Sequence, residues 1–200
     1  MLPGQDKAIK DFQNLSPLVA AAKSGCDFQD GVFRLPLFDR TFLISHPQGR
    51  VVEEGRDSHP PPVLEMVLLH YLITADGTAL ADRWIAYRHL PGAFLFASRF
   101  ESLAIRTLAT ALHGVKGQDI KGFRRSALAL RGETMSRTGD AAFRFLALPR
   151  IPMACILYLG DEEVAPSINI LFDGSAHHYL PTEDLSYLGS YLSQALRSHK

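Results

Sequence analysis

Hydrophobic and polar positions recur with two different periods along this chain, so the sequence predicts both helices and strands. Two short helices are predicted over residues 5–14 and 16–24, the second ended by Gly25. Residues 32–38 and 41–45 are rich in β-branched and aromatic side chains, and a third short run follows the turn "HPQG". The first quarter of the chain is therefore predicted to be a helical entry segment followed by a small β-meander.

The middle of the chain contains its most apolar helix. Residues 53–62 are polar and proline-rich, which predicts a stiff connector. The following segment, "VLEMVLLHYLITA", is apolar nearly all round except for Glu65 and His70, a pattern typical of a helix buried on several sides. We expect this helix to be the central support of the fold.

The next segments predict one strand and two helices. Residues 83–90 alternate like a strand, and the apolar positions that follow predict a long helix ended by Gly114. A further helix, "IKGFRRSALALRG", is predicted after the capping residue Asp119.

The last third turns to β-structure and ends in a helix. Three runs, "AFRFLAL", "MACILYL" and "INILF", predict strands, with "MACILYL" in the centre of the sheet because it is apolar on both faces. Thr182 is the predicted cap of a final helix. The fold class expected is α+β: a mixed, largely antiparallel sheet packed against several helices, with a helical N-terminal entry and a C-terminal helix. We expect one globular domain over residues 1–200, with residues 1–30 as the entry and 31–200 as the body.

Composition narrows the class of protein further. Lys plus Arg equals Asp plus Glu at 21 each, so no chain-wide positive field favours nucleic acid or an anionic membrane. No run approaches the roughly 18 apolar residues of a membrane span, and no secretory leader pattern is visible, so we expect a soluble, cytoplasmic protein. Cys26 and Cys155 have no CxxC spacing, which argues against a disulfide, a zinc ribbon or an iron–sulfur cluster within this chain.

The stretch "LFDGSAHHYLPTEDL" contains the highest concentration of side chains suited to acid/base catalysis or metal binding. Asp173 with His177 or His178 would supply an acid/base pair or two metal ligands. Adjacent side chains of an extended segment point to opposite faces, so only one histidine would face a common ion. The alternative, which we favour, is a turn stabilised by Asp173 with no bound metal. Replacing Asp173 would then remove the hydrogen bonds of this turn and lower the free energy of unfolding by on the order of 1 kcal/mol.

Other candidates are weaker. Asp161, in "GDEE" after the central strand, would pair with Asp173 if their loops closed over one cleft, while Glu163 is a candidate ligand contact or a solvated turn residue. Trp84, Arg88 and Arg150 are candidates for binding a planar or anionic ligand. The alternative is that they are ordinary residues of half-buried strands.

His70 is expected to be buried, neutral and hydrogen-bonded to a neighbour, with Glu65 poorly placed as that partner. No phosphate-binding glycine loop, nucleophile elbow or H-E-x-x-H motif is present.

Three segments carry a resemblance to a known family: "LLHYLITADGTALADRWIAYRHLPG", "GDAAFRFLALPRIPMACILYLGDEE" and "ILFDGSAHHYLPTEDL". Together they resemble the uncharacterised bacterial and archaeal domain-of-unknown-function family 3786. Some members carry a small iron–sulfur domain and belong to anaerobes, which implies a link to anaerobic redox or one-carbon metabolism. The cysteine cluster of that extension is missing here, and the family has no established activity to carry over.

Two functions from different classes follow from this sequence. The first is a noncatalytic accessory domain that binds a small molecule or a protein partner, with an anaerobic redox or one-carbon enzyme as the partner that the resemblance implies. The second is a small hydrolase or lyase, metal-assisted or not, that uses Asp173 with His177 or His178.

Overall fold

A computed structural model describes residues 4–56, 58–112, 120–159, 163 and 167–198. Its helices are α1 (Gln5–Gln13), α2 (Pro17–Ser24), α3 (Pro62–Thr74), α4 (Ala97–Phe100), α5 (Thr107–Leu112), α6 (Ile120–Ala129) and α7 (Thr182–Ser198). Its strands are β1 (Asp27–Gln29), β2 (Val32–Leu37), β3 (Arg40–Ser45), β4 (Val51–Glu53), β5 (Trp84–Ala86), β6 (Glu133–Thr134), β7 (Ala141–Leu148), β8 (Ile151–Tyr158) and β9 (Ser167–Asp173). The α+β class is confirmed, with the strands in two antiparallel sheets rather than one.

The first sheet is the predicted meander, extended by one strand. Its order is β1-β2-β3-β4, with every neighbour antiparallel. Strand β1 has a short, polar sequence and carries no periodic signal of its own. It pairs with β2 through a tight turn in which Asp30 and Gly31 both have positive φ, at 52° and 79°.

The second sheet has the order β5-β9-β8-β7-β6, so β8 is central as "MACILYL" predicts. Seven of its eight residues are buried, because neighbouring strands flank it and other elements cover both faces. The N–H of Phe38 donates to the Ala147 carbonyl at 3.0 Å, and the Phe38 ring stacks on Tyr191 of α7 at 5.7 Å. Phe38 therefore joins the first sheet to both the second sheet and the last helix.

Helix α3 lies in the core as its apolar sequence predicts. The Tyr71 hydroxyl donates to the Ser24 carbonyl at 2.5 Å and accepts the Arg150 N–H at 3.0 Å. Burial raises the pKa of Tyr71, so the phenol stays neutral and serves as a structural link. One buried side chain thereby holds the end of α2 and the β7–β8 turn against α3.

The strand predicted over residues 83–90 is wrong beyond Ala86. A 3₁₀ turn follows at Tyr87–His89. Tyr87 and Leu90 are both buried, and a spacing of three places them on one face of such a turn. The Tyr87 ring stacks on Phe100 at 4.4 Å, and this packing outweighs the alternating pattern.

The long helix predicted after it is interrupted. A 3₁₀ turn at Ala93–Leu95 precedes α4, and a π-helical stretch at Glu101–Arg106 separates α4 from α5. Phe100, Ala104 and Leu108 are buried at intervals of four residues, and the wider π turn keeps them on one face. Leu103, an apolar residue of the same segment, is 51% exposed.

One further predicted helix boundary is corrected by the structure, and others lie outside the described residues. Helix α7 begins at Thr182, which is its first residue rather than its cap, and the Thr182 hydroxyl donates to the Pro91 carbonyl at 2.6 Å. The predicted helix end at Gly114, the cap at Asp119 and most of the "GDEEVAPS" turn lie outside the described residues.

Candidate functional site

Asp173 ends β9 and is a turn residue in the structure. It is only 3% exposed, and its Oδ1 accepts hydrogen bonds from the Ser175 N–H at 2.9 Å, the Ser175 hydroxyl at 2.5 Å and the Ala81 N–H at 2.9 Å. Burial acts to raise the pKa of Asp173, but these hydrogen bonds outweigh it and lower the pKa. The carboxylate therefore fastens the end of β9 to the loop that precedes β5.

The two histidines lie on a 3₁₀ turn, Ala176–His178, with ring centroids 4.3 Å apart. Nδ1 of His178 lies 2.8 Å from the Asp76 carboxylate, and hydrogen bonds from Thr78 and His178 lower the pKa of Asp76 to about 2. Nδ1 of His177 is buried without a hydrogen-bond partner in the described part of the chain, and burial lowers the pKa of His177. Neither ring bonds to Asp173, and no group of three or more potential metal ligands occurs among the described residues.

The other predicted positions are scattered. Asp161 lies outside the described residues, and Glu163 is exposed. Trp84 is half-buried in β5, Arg88 is exposed in the following 3₁₀ turn, and Arg150 is exposed at the β7–β8 turn. Trp84 is the cross-strand partner of Asp173, whereas Arg88 and Arg150 belong to two other turns.

The structure instead brings together His70 of α3 and Asp184 of α7. Nδ1 of His70 lies 2.6 Å from Oδ2 of Asp184, and the side chains are 26% and 14% exposed. No local pattern indicates this contact, because the two residues are 114 positions apart. The hydrogen bond expected for His70 is present. The neutral ring expected from the sequence is not favoured, because a carboxylate partner favours the protonated ring.

Electrostatics at this pair favour the protonated form of His70. The hydrogen bond to Asp184 raises the pKa of His70, and Glu183 and Asp11 act in the same direction against the effect of burial. Asp184 lies in the first turn of α7, where the helix dipole stabilises a carboxylate. Because Asp184 occupies Nδ1, Nε2 is the ring nitrogen left for another partner.

His70 and Asp184 line a cleft of about 610 Å³, which we call the His70 cleft. On α3, Val63, Met66 and His70 are spaced by three and four residues, so they form one stripe along the helix. The opposite walls come from α7 and from the segment that contains α4 and the π-helical stretch. Its apolar lining residues are Val63, Met66, Phe96, Leu103 and Tyr187, and the other polar ones are Arg99, Glu183, Ser186 and Ser190.

The His70 cleft has the size of a small-molecule site. Its volume is within the range of ligand pockets, and its lining combines apolar side chains with polar and charged ones. Arg99 makes no ion pair among the residues the structure describes, so its charge is available at this cleft. The acidic pair Glu183–Asp184 in the first turn of α7 also supplies the carboxylate of the cleft.

Comparison with known proteins identifies a family and no closer relative. The family model described as "Domain of unknown function (DUF3786)" matches residues 16–195. No curated protein and no solved structure gives a significant match. Across the described ranges, no helix is both long enough and apolar enough to cross a membrane.

Proposed function

The chain belongs to the DUF3786 family, and we propose that this member is a noncatalytic domain that binds a small organic molecule in the His70 cleft. The family description assigns no activity, so the geometry of the cleft carries the proposal. The supporting observation is the His70–Asp184 pair, held at 2.6 Å on the wall of a cleft that also presents apolar side chains. Such a pair is a fixed, oriented polar group beside the apolar part of the lining.

The chemistry of the pair indicates the kind of ligand. With Nδ1 bonded to Asp184, the protonated ring donates from Nε2 to an oxygen atom of the ligand. Val63, Met66 and Leu103 offer contact to an apolar body, and burying that surface supplies most of the affinity. We therefore expect a compound with an apolar body and a carbonyl or carboxylate oxygen.

The proposed setting is the cytoplasm, where the domain acts as an accessory to an enzyme of anaerobic redox or one-carbon metabolism. Two unpaired, buried cysteines fit a reducing compartment. The equal numbers of acidic and basic residues fit a protein that binds neither nucleic acid nor an anionic membrane. The metabolic setting rests on the family resemblance.

A second candidate function, general acid–base catalysis as a hydrolase or lyase, is favoured by the same pair. A carboxylate on Nδ1 fixes the tautomer and orientation of an imidazole, which lets Nε2 accept or return a proton. Asp173 is less suited to this chemistry, because its Oδ1 already accepts three hydrogen bonds. Turnover of a bound compound distinguishes this enzyme from the proposed binding domain.

The test is a fragment screen by ligand-observed NMR on the intact protein and on two variants. His70→Gln removes the charge and the Asp184 pairing, whereas the matched control His89→Gln changes an exposed histidine away from the cleft. Carbonyl- and carboxylate-bearing hits should lose about tenfold in affinity in His70→Gln and none in His89→Gln. Hits that bind both variants as tightly as the parent contradict the proposal.

The pH dependence of those hits gives an independent reading. Because the pKa of His70 is raised above its ordinary value of 6.5, the donor form of Nε2 persists above that pH. Affinity should be greatest at low pH and fall as the pH rises through the raised pKa. A flat affinity profile between pH 6 and pH 9 is the contrary result.

A further inference from the structure

A second groove lies along the same segment that walls the His70 cleft, from Phe96 to Arg106. Phe96, Arg99 and Leu103 line the His70 cleft, while Ser98, Glu101 and Arg106 line the other groove. This groove has a volume of about 560 Å³ and also contains residues of β9 and of the 3₁₀ turn after β5. We call it the arginine groove.

Its two arginines come from separate elements. Arg88 belongs to the 3₁₀ turn and Arg106 to the π-helical stretch, and both are exposed. Neither forms an ion pair with a carboxylate among the described residues. Nε of Arg88 donates a hydrogen bond to Nε2 of His89, at 3.4 Å. Glu101 is the one acidic residue on the described lining, so the groove carries an excess of positive charge.

Part of the groove lining is apolar. Ile105 and Leu171 are half-buried and present apolar surface, whereas Ile168 and Ile170 of β9 are almost fully buried. The Asn169 amide and the Ser98 hydroxyl add hydrogen-bonding groups at the exposed rim. Charge at the rim and apolar surface below together match a ligand with an anionic head and an apolar or planar body.

We propose that the arginine groove is a second binding site, for a small molecule with a dianionic head group. Guanidinium groups bind the oxygens of phosphates and carboxylates through paired N–H donors, and two of them suit a doubly charged head. A phosphate monoester and a dicarboxylate share this chemistry. The site is separate from the His70 cleft, because no residue lines both.

The test uses phenyl phosphate and phthalate as probes, with inorganic phosphate as the control for the head group alone. Binding is measured by ¹H–¹⁵N NMR titration of the full chain. We expect a Kd on the order of 1 mM or tighter for at least one organic probe, and the tighter probe identifies the head group. Inorganic phosphate should bind at least about tenfold more weakly, because it lacks the apolar body.

Charge variants make the assignment specific. Arg88→Gln and Arg106→Gln should each weaken the probe about tenfold, and Glu101→Gln should strengthen it about threefold by removing a like charge. Arg125→Gln, an exposed arginine of α6 outside the groove, should leave the affinity unchanged. Tighter binding in Glu101→Gln is an effect that loss of folding does not produce.

Three results overturn the proposal. The first is that neither organic probe binds. The second is that the Arg88→Gln/Arg106→Gln double variant binds as tightly as the parent. The third is that inorganic phosphate binds as tightly as the organic probes, which would indicate nonspecific anion attraction.

Discussion

At the scale of single residues, Asp173 shows how one carboxylate shapes the loops around it. Its Oδ1 accepts three hydrogen bonds in a position that is 3% exposed. The sequence indicates a turn formed with Ser175, and the structure adds a bond to Ala81, 92 residues away in the chain. Asp173 therefore stabilises two loops rather than one.

Asp173→Ala should lower the free energy of unfolding by about 2–3 kcal/mol, because three donors lose a buried acceptor. This exceeds the cost of about 1 kcal/mol that a local turn alone would give. Asp173→Asn keeps an oxygen acceptor and should cost about half as much. Urea denaturation followed by circular dichroism measures both; a loss below about 1 kcal/mol for the alanine variant would show that the turn does not depend on this side chain.

At the scale of elements, a Gly residue decides how α7 packs on α4. A Cβ atom built on Gly189 would lie 2.4 Å from Cε2 of Phe100 and 3.3 Å from Cζ of Phe172. The two rings therefore occupy the space that any larger residue at this position would need.

Gly189→Ala should destabilise the protein by about 1–3 kcal/mol, although alanine favours a helix over glycine by about 1 kcal/mol. The clash is with a side chain, so Phe100→Leu in the same chain should recover part of the loss. Thermal unfolding of the two single variants and the double variant measures this coupling. Purely additive effects would mean that the Gly189 contact with Phe100 is not the cause.

The elements that the sequence predicts correctly are those with local signals. Helix α3 is apolar nearly all round, and β8 is apolar at successive positions, so neither depends on distant residues for its assignment. The π-helical stretch is different, since the packing of Phe100 and Ala104 against other elements overrides the local pattern. The His70–Asp184 pair requires knowledge of which helices meet, which hydrophobic periodicity does not contain.

At the scale of the whole molecule, Arg40 connects a partly buried ion pair of the first sheet with the last helix. Arg40 donates from Nε and Nη2 to the two oxygens of Glu53, at 2.8 and 2.5 Å, and from Nη1 to the Tyr191 hydroxyl at 2.8 Å. The hydrogen bond from Arg40 lowers the pKa of Glu53 against the effect of burial. The pair thus stabilises the assembly while Glu53 is ionised.

Glu53→Gln should cost about 2–3 kcal/mol at pH 7, because it leaves the Arg40 charge without its partner. Since the folded pKa of Glu53 is lowered, the contribution is present above the unfolded value of 4.5 and is lost as the pH falls through the folded value. The parent should lose this increment on acidification, whereas the variant should not. Glu54→Gln, at the exposed Arg34 pair, is the matched control and should cost much less stability than Glu53→Gln, because solvent screens an exposed pair. Equal losses in both variants would contradict the proposed role of the Arg40 link.

The segment from Phe96 to Arg106 forms a wall of both the His70 cleft and the arginine groove. A ligand that shifts this wall on one side changes the free energy of binding on the other. By thermodynamic linkage the effect is reciprocal: whatever factor the first ligand imposes on the Kd of the second, the second imposes on the first. Coupled through this wall, the two proposed sites would form a heterotropic pair, with Phe100 of the wall packed on Gly189 of α7.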